Sequence, residues 1–189
     1  LEYMKNVTMN PIGWAKDDVL TEEIMKALKD TKEQDLIYTI SVQGHGNYPE
    51  TALDLDQKIK VSGLDNEGRE NSFEYYVNQI HEMDQFIADL VEALSDYNED
   101  TVLIMYGDHL PSLDLKEKEL KSKSIYRTQY VMWDNFNLEK KNRNLQSYQL
   151  SASVFSKLGI DDGTLFKYHQ KNMGSKKFSK YLRMLQYDM

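Results

Sequence analysis

The stretch Thr101–Ser112, TVLIMYGDHLPS, decides how the chain is read. Val102 to Tyr106 form a short apolar run, the pattern of a buried strand, and the run stops at Gly107. Asp108 and His109 follow, and such polar side chains are costly to bury without a partner. Within a strand adjacent side chains face opposite ways, so these two can converge only where the pleat has ended. Gly107 permits a sharp exit, and Pro111 blocks an easy return to ladder pairing. A carboxylate beside an imidazole suits a divalent cation of the Mn²⁺ or Zn²⁺ type. The same dipeptide also fits a plain turn, in which Asp108 accepts backbone hydrogen bonds and His109 is merely exposed.

Working outward, DLIYTISVQ (Asp35–Gln43) has the composition of a second apolar strand, and it too ends at a glycine-marked exit, Gly44-His45-Gly46. Glycine on both sides lets backbone approach a ligand, and the His45 imidazole can donate to an anionic oxygen. Before this segment, Asp17 or Asp18 caps a helix with Leu20, Ile24 and Leu28 on one stripe. After it comes a long polar loop from Gly44 to about Glu70. Asn71 with Glu74 resembles a capping box opening a helix that carries Phe73, Val77, Ile80, Ile87, Leu90, Val91 and Leu94. A strand in YRTQYVMWDN and a helix in YQLSASVFSKLG, closed by Gly159, complete the pass. Strand, helix and strand in this order imply an α/β fold with a parallel sheet covered on both faces. In such sheets the ligand site lies beyond the carboxyl ends of the strands, where His45, Asp108 and His109 all fall. His81 and His169 read as structural or solvated, and Asp84 as a polar-face residue.

The 189 residues suffice for one sizeable domain, and the absence of cysteine leaves any metal to oxygen and imidazole ligands. A net charge of −8 argues against nucleic acid as a partner. The charge is uneven: from Leu165 onward the chain carries +5, which leaves −13 for residues 1–164. The basic tail, 165–189, either docks on the acidic body or contacts an anionic membrane surface. No apolar run is long enough to span a bilayer and no signal peptide is visible, so the chain as given reads as soluble. Its start at Leu1 suggests that upstream sequence has been cut away.

Taken together, SVQGHGNYP, YYVNQIHEMDQFIADLVEAL and TVLIMYGDHLPSL closely resemble the lipoteichoic acid synthase-like, phosphoglycerol transferase branch of the sulfatase and alkaline phosphatase superfamily. The resemblance extends to GWAKDDVLTEEIMKAL and to YVMWDN followed by YQLSASVFSKLGI. It implies an alkaline phosphatase-like parallel-sheet sandwich and a parent enzyme on the extracellular face of the bacterial cell membrane. That enzyme transfers glycerol phosphate from a phospholipid head group through a threonine nucleophile assisted by a metal, typically manganese. Asp108 and His109 match the family's metal-ligand pair, His45 its substrate-side histidine, and Ser112 lies near a serine that relatives set against substrate.

The family's nucleophilic threonine and acidic metal ligand lie upstream of anything resembling Leu1. Residues 1–164 therefore read as the C-terminal part of the catalytic domain, with Thr39 and Thr101 at the wrong end of the sheet to attack. Two ligands where four are usual hold a metal loosely. The missing first part of the domain counts as a partner, and its absence leaves an edge through which the chain either self-associates or is less stable. Alternative readings are a non-catalytic module binding anionic sugars or phospholipid head groups, and a flavodoxin-like interaction domain.

Overall fold

The computed structural model describes residues 4–188. Helix α1 spans Val19–Asp30 and turns Leu20 inward, with Ile24 and Leu28 on the same stripe. Helix α2, Glu67–Ser95, is the long element of the fold and buries Tyr75, Phe86, Leu90 and Leu94. It begins earlier than the Asn71 capping box implies. Asn66 is the cap, its side chain accepting from the Arg69 N–H at 2.9 Å, while Asn71 donates to the Glu50 carbonyl instead. Leu20, Phe86, Leu90 and Leu94 form the core, and Leu103 and Trp133 pack against it from a sheet.

That sheet has two strands, β1 (Val102–Tyr106) and β2 (Tyr130–Asp134). They pair antiparallel with Leu103 opposite Trp133, so these two side chains share the face turned toward the helices. Here the structure corrects the expected pairing. Among the described residues the ladder is antiparallel, and residues 35–43 run without a ladder partner. The physical reason is that β propensity supplies a strand-like backbone, whereas a strand also needs a neighbour to take its N–H and C=O groups. Leu36, Tyr38 and Ile40 are accordingly 84, 73 and 68 % exposed. The segment nevertheless touches the end of β1, where the Tyr106 hydroxyl bonds that of Tyr38 at 3.1 Å.

Contacts divide the described residues at Phe136/Asn137. In the second unit α3 (Leu150–Lys157) ends at Gly159, whose φ of +71° lets the chain reverse, with the Ile160 N–H returning to the Phe155 carbonyl. The basic stretch from Leu165 lies in this unit. It forms α4 (Thr164–Asn172), which packs on α3, and α5 (Phe178–Asp188). Phe178 is buried among Tyr148, Tyr168 and His169, and burial lowers the His169 pKa. No helix among the described residues is long and apolar enough to cross a membrane.

Candidate functional site

The site is built where β1 ends. The Gly107 N–H still bonds the Gln129 carbonyl at 3.2 Å, after which the chain bends away from the ladder. Asp108 stabilises that bend by accepting from the His109 N–H at 2.8 Å through Oδ1. Downstream, Leu113 is buried and its N–H bonds the Pro111 carbonyl, which pins the far side of the loop. His109 Nδ1 lies 2.9 Å from the Leu110 carbonyl oxygen. A carbonyl can only accept, so Nδ1 carries a proton, and in that tautomer the lone pair is on Nε2. Nε2 stands 3.6 Å from Asp108 Oδ2, and the two side chains are 65 and 79 % exposed.

His45 arrives from the second loop. Its N–H bonds the Val42 carbonyl at 3.0 Å, closing a turn, and its ring centroid lies 6.3 Å from that of His109 with the planes at 84°. Histidines from the two apolar segments therefore meet, as their positions in the sequence imply. The flanking glycines have a different use from the one inferred above. A Cβ on Gly46 would run into the Tyr48 ring, which folds back over the loop to donate its hydroxyl to the Gly44 carbonyl at 2.8 Å. A Cβ on Gly44 would stand 2.9 Å from Met83 Sδ of α2. Both glycines serve internal packing of the loop.

A third loop contributes a residue that the sequence reading passed over. Trp14 packs edge to face with His45 at 4.8 Å between centroids. It sits in a tight turn in which Asn10 Oδ1 accepts from the Trp14 N–H and the Asn10 N–H bonds the Trp14 carbonyl at 2.7 Å. Gly13, at φ +89°, makes that turn possible.

Asn10 also donates to the Gln43 carbonyl at 3.1 Å, tying the Trp14 turn to the His45 loop. Gln43 is the hub of this buried network. Its Nε2 donates to Glu82 at 2.6 Å and to Gln79 at 3.3 Å, and its Oε1 accepts from the Asp17 N–H at 2.8 Å. Ser41 donates to Asp17 Oδ2 at 2.5 Å, and Lys16 pairs with Glu82 at 2.8 Å. Burial pushes the Asp17 carboxyl above its ordinary range, opposed by its hydrogen bonds to Ser41, Val42 and Gln43. The cue in the sequence was polar Gln43 closing an otherwise apolar run.

Ser112 occupies an exposed bend three residues past His109. Among the described residues no hydrogen bond or ring contact joins it to His45 or His109. Thr101 opens β1 at the end opposite Asp108, its N–H held by Asn135 at 2.8 Å. His81 and Asp84 are exposed on α2, as their helical positions imply.

Asp108 and His109 fit two positions on one cation. Two donors each about 2.1 Å from an ion at right to tetrahedral angles stand about 3.0–3.4 Å apart, close to the observed spacing. The Nδ1–H to carbonyl bond is the outer contact typical of a metal-bound imidazole. Among the described residues no group of three or more His, Asp or Glu side chains is arranged to hold an ion. The pair by itself supplies fewer donors than an ion needs.

An α/β unit with an Asp-His pair at a strand exit and a facing histidine defines the class to which the comparisons assign it. The sulfatase family profile matches residues 1–160, and the chain belongs to the sulfatase family. In fold it is similar to the Streptococcus pyogenes phosphoglycerol transferase GacH, solved in complex with sn-glycerol-1-phosphate. The TM-score is 0.83 at 20 % identity, over 98 % of this chain and 51 % of that one. The fold is therefore alkaline phosphatase-like and partial, an incomplete α/β domain. A Rhizobium meliloti (strain 1021) protein, provisionally named for cyclic beta-1,2-glucan modification, is 26 % identical over 68 % of this chain. The chain spans 22 % of that relative's length.

Proposed function

We propose that this chain carries the Asp108, His109 and His45 portion of a metal-dependent phosphoglycerol transferase or sulfatase-like hydrolase acting on phosphate or sulfate esters. The observation that carries this reading is the spacing of His109 Nε2 and Asp108 Oδ2, with the His109 proton held on Nδ1 by Leu110. Asp108 and His109 would hold the metal, manganese being the expected ion, and the remaining ligands would come from sequence outside the chain. When bound, the metal supplies positive charge that stabilises a transferring phosphoryl or sulfuryl group. His45, facing His109, would donate to an ester oxygen and orient it. The attacking threonine would lie outside the chain, as the family resemblance implies, and Thr101 is at the far end of β1.

The substrates in this reading are a phospholipid head group or an anionic glycan ester, handled by the parent protein on the outer face of the bacterial cell membrane. The bound sn-glycerol-1-phosphate of GacH supports the first, and the name of the Rhizobium relative supports the second. Ser112 would meet substrate from the exposed bend that follows Pro111.

The test is ³¹P NMR of sn-glycerol-1-phosphate with Mn²⁺ and the chain, read together with the histidine ring signals. Line broadening that depends on Asp108 and His109 supports the reading. Signals indifferent to Asp108→Asn and His109→Ala overturn it. The same samples should turn over an aryl phosphodiester or aryl sulfate barely at all. Brisk turnover lost in Asp108→Ala would mean that the nucleophile lies within the chain. Binding of glycerol phosphate with no dependence on metal would favour a non-catalytic module for anionic head groups or sugars.

A further inference from the structure

Trp14 has no part in the phosphate chemistry above, yet its ring lies against His45 and is 36 % exposed. A large aromatic surface left in water beside polar groups is the kind of surface that ligand sites use to seat an apolar face, while the polar groups fix orientation. Its environment limits what that face can be. Against Trp14 stands the exposed His45 imidazole, His109 lies on from His45, and Lys16, two residues along the chain, pairs with Glu82 at 2.8 Å. A ligand here must offer a flat patch of C–H groups and hydroxyls at its edge at the same time. A pyranose ring has that surface. An acyl chain lacks the hydroxyls, and a net charge of −8 disfavours an anionic lipid surface.

The turn around Trp14 adds a second argument. Asn10 fixes it by hydrogen bonds from both directions, and Gly13 at φ +89° sets its path, so little order remains to be gained when a ligand binds. A side chain with only a structural task would be expected to turn more of its ring into the core, as Trp133 does by packing against the core cluster.

We propose that Trp14 is the stacking platform for a pyranose ring of the molecule whose ester group sits at His45 and His109. This rests on the functional reading above and makes the recognised substrate a saccharide. Trp14 is a specificity-determining residue that touches the sugar, and no bond is made or broken there.

The chain contains two tryptophans, so its two indole N–H signals in ¹H–¹⁵N NMR are assigned by Trp14→Phe alone. The probes are a neutral β-linked gluco-oligosaccharide, sn-glycerol-1-phosphate with Mn²⁺, and phosphatidylglycerol vesicles. The oligosaccharide should shift the Trp14 indole and leave Trp133 in place, and Trp14→Ala should weaken its binding by about tenfold. Trp14→Phe, which keeps a ring, should retain most of the affinity, which separates loss of stacking from loss of the fold. No shift at Trp14 with the oligosaccharide, while glycerol phosphate still perturbs His45 and His109, overturns this inference and leaves the functional reading standing. A response to vesicles in place of the oligosaccharide overturns it in favour of lipid. A response to the oligosaccharide with no effect of glycerol phosphate on the histidines would uphold the sugar platform and remove the ester site.

Discussion

The His45 and His109 rings meet edge to face, 6.3 Å between centroids, although each belongs to a different loop. The loops are held from behind: Leu113 anchors one, and the other hangs from Gln43, which is 2 % exposed. The histidines can therefore be altered for chemistry while the scaffold beneath them stays in place.

Asp108→Asn and His109→Ala should leave the unfolding midpoint nearly unchanged, within about 0.5 kcal/mol, because both side chains are mostly in water. On the proposed metal-holding role, each should weaken Mn²⁺ binding by about tenfold or more. Denaturant titration and Mn²⁺ relaxation on the same samples check both halves.

Gly46→Ala should disturb His45 without touching it. The added methyl collides with the Tyr48 ring and breaks its hydrogen bond to the Gly44 carbonyl, at a cost of about 1–3 kcal/mol. The measurement is the shift in denaturation midpoint together with the His45 ring signals. Combining it with Tyr48→Ala should cost less than the sum of the two single changes.

Two substitutions of buried polar groups should behave differently. Gln43→Leu strands the Asp17 N–H and takes a donor from Gln79 Oε1 and from Glu82, and should cost about 2–4 kcal/mol. Tyr75 is 1 % exposed, its hydroxyl lies against the Ile12 backbone without a well-formed hydrogen bond, and burial pushes its pKa up to about 12. Tyr75→Phe removes a buried polar atom with only a weak partner and should fall within about 1 kcal/mol of neutral. Denaturation in urea at neutral pH reads both.

Asp17 links stability to pH with an unusual sign. Its pKa in the fold is raised above the ordinary 3.8, chiefly by burial, so in the window above 3.8 the folded chain holds more proton than the unfolded one. The contribution of this carboxyl is most favourable at low pH and declines as pH rises through its folded pKa. Asp17→Asn keeps an oxygen for Ser41 and removes that decline. The stability difference between Asp17→Asn and the parent chain should therefore move in favour of Asn as pH is raised from about 3.5 to 7. Denaturant melts at several pH values check the direction.

Much of the helical scaffold was legible because it is periodic. Leu20, Ile24 and Leu28 announce α1, and the stripe from Phe73 to Leu94 announces α2. The first turn of α2 escaped notice because Glu67 to Glu70 hold no apolar residue and so carry no apolar rhythm. Asp35–Gln43 misled because composition records what a backbone prefers, while pairing depends on what lies beside it. In the site, Asp108, His109 and His45 stood out as polar residues at the ends of apolar runs. Trp14 and Asn10 did not, since an aromatic near a Pro-x-Gly turn has no spacing that ties it to a loop about 30 residues away. Their association depends on one side-chain amide reaching the Gln43 carbonyl.

The unpaired segment from Asp35 to Gln43 bears on how the protein behaves in a tube. Leu36, Tyr38 and Ile40 stand in water, and any chain that added itself to that row would bind the folded state alone, so the apparent melting temperature would rise with protein concentration. A single melting curve at one dilution would then describe an association equilibrium as much as a fold.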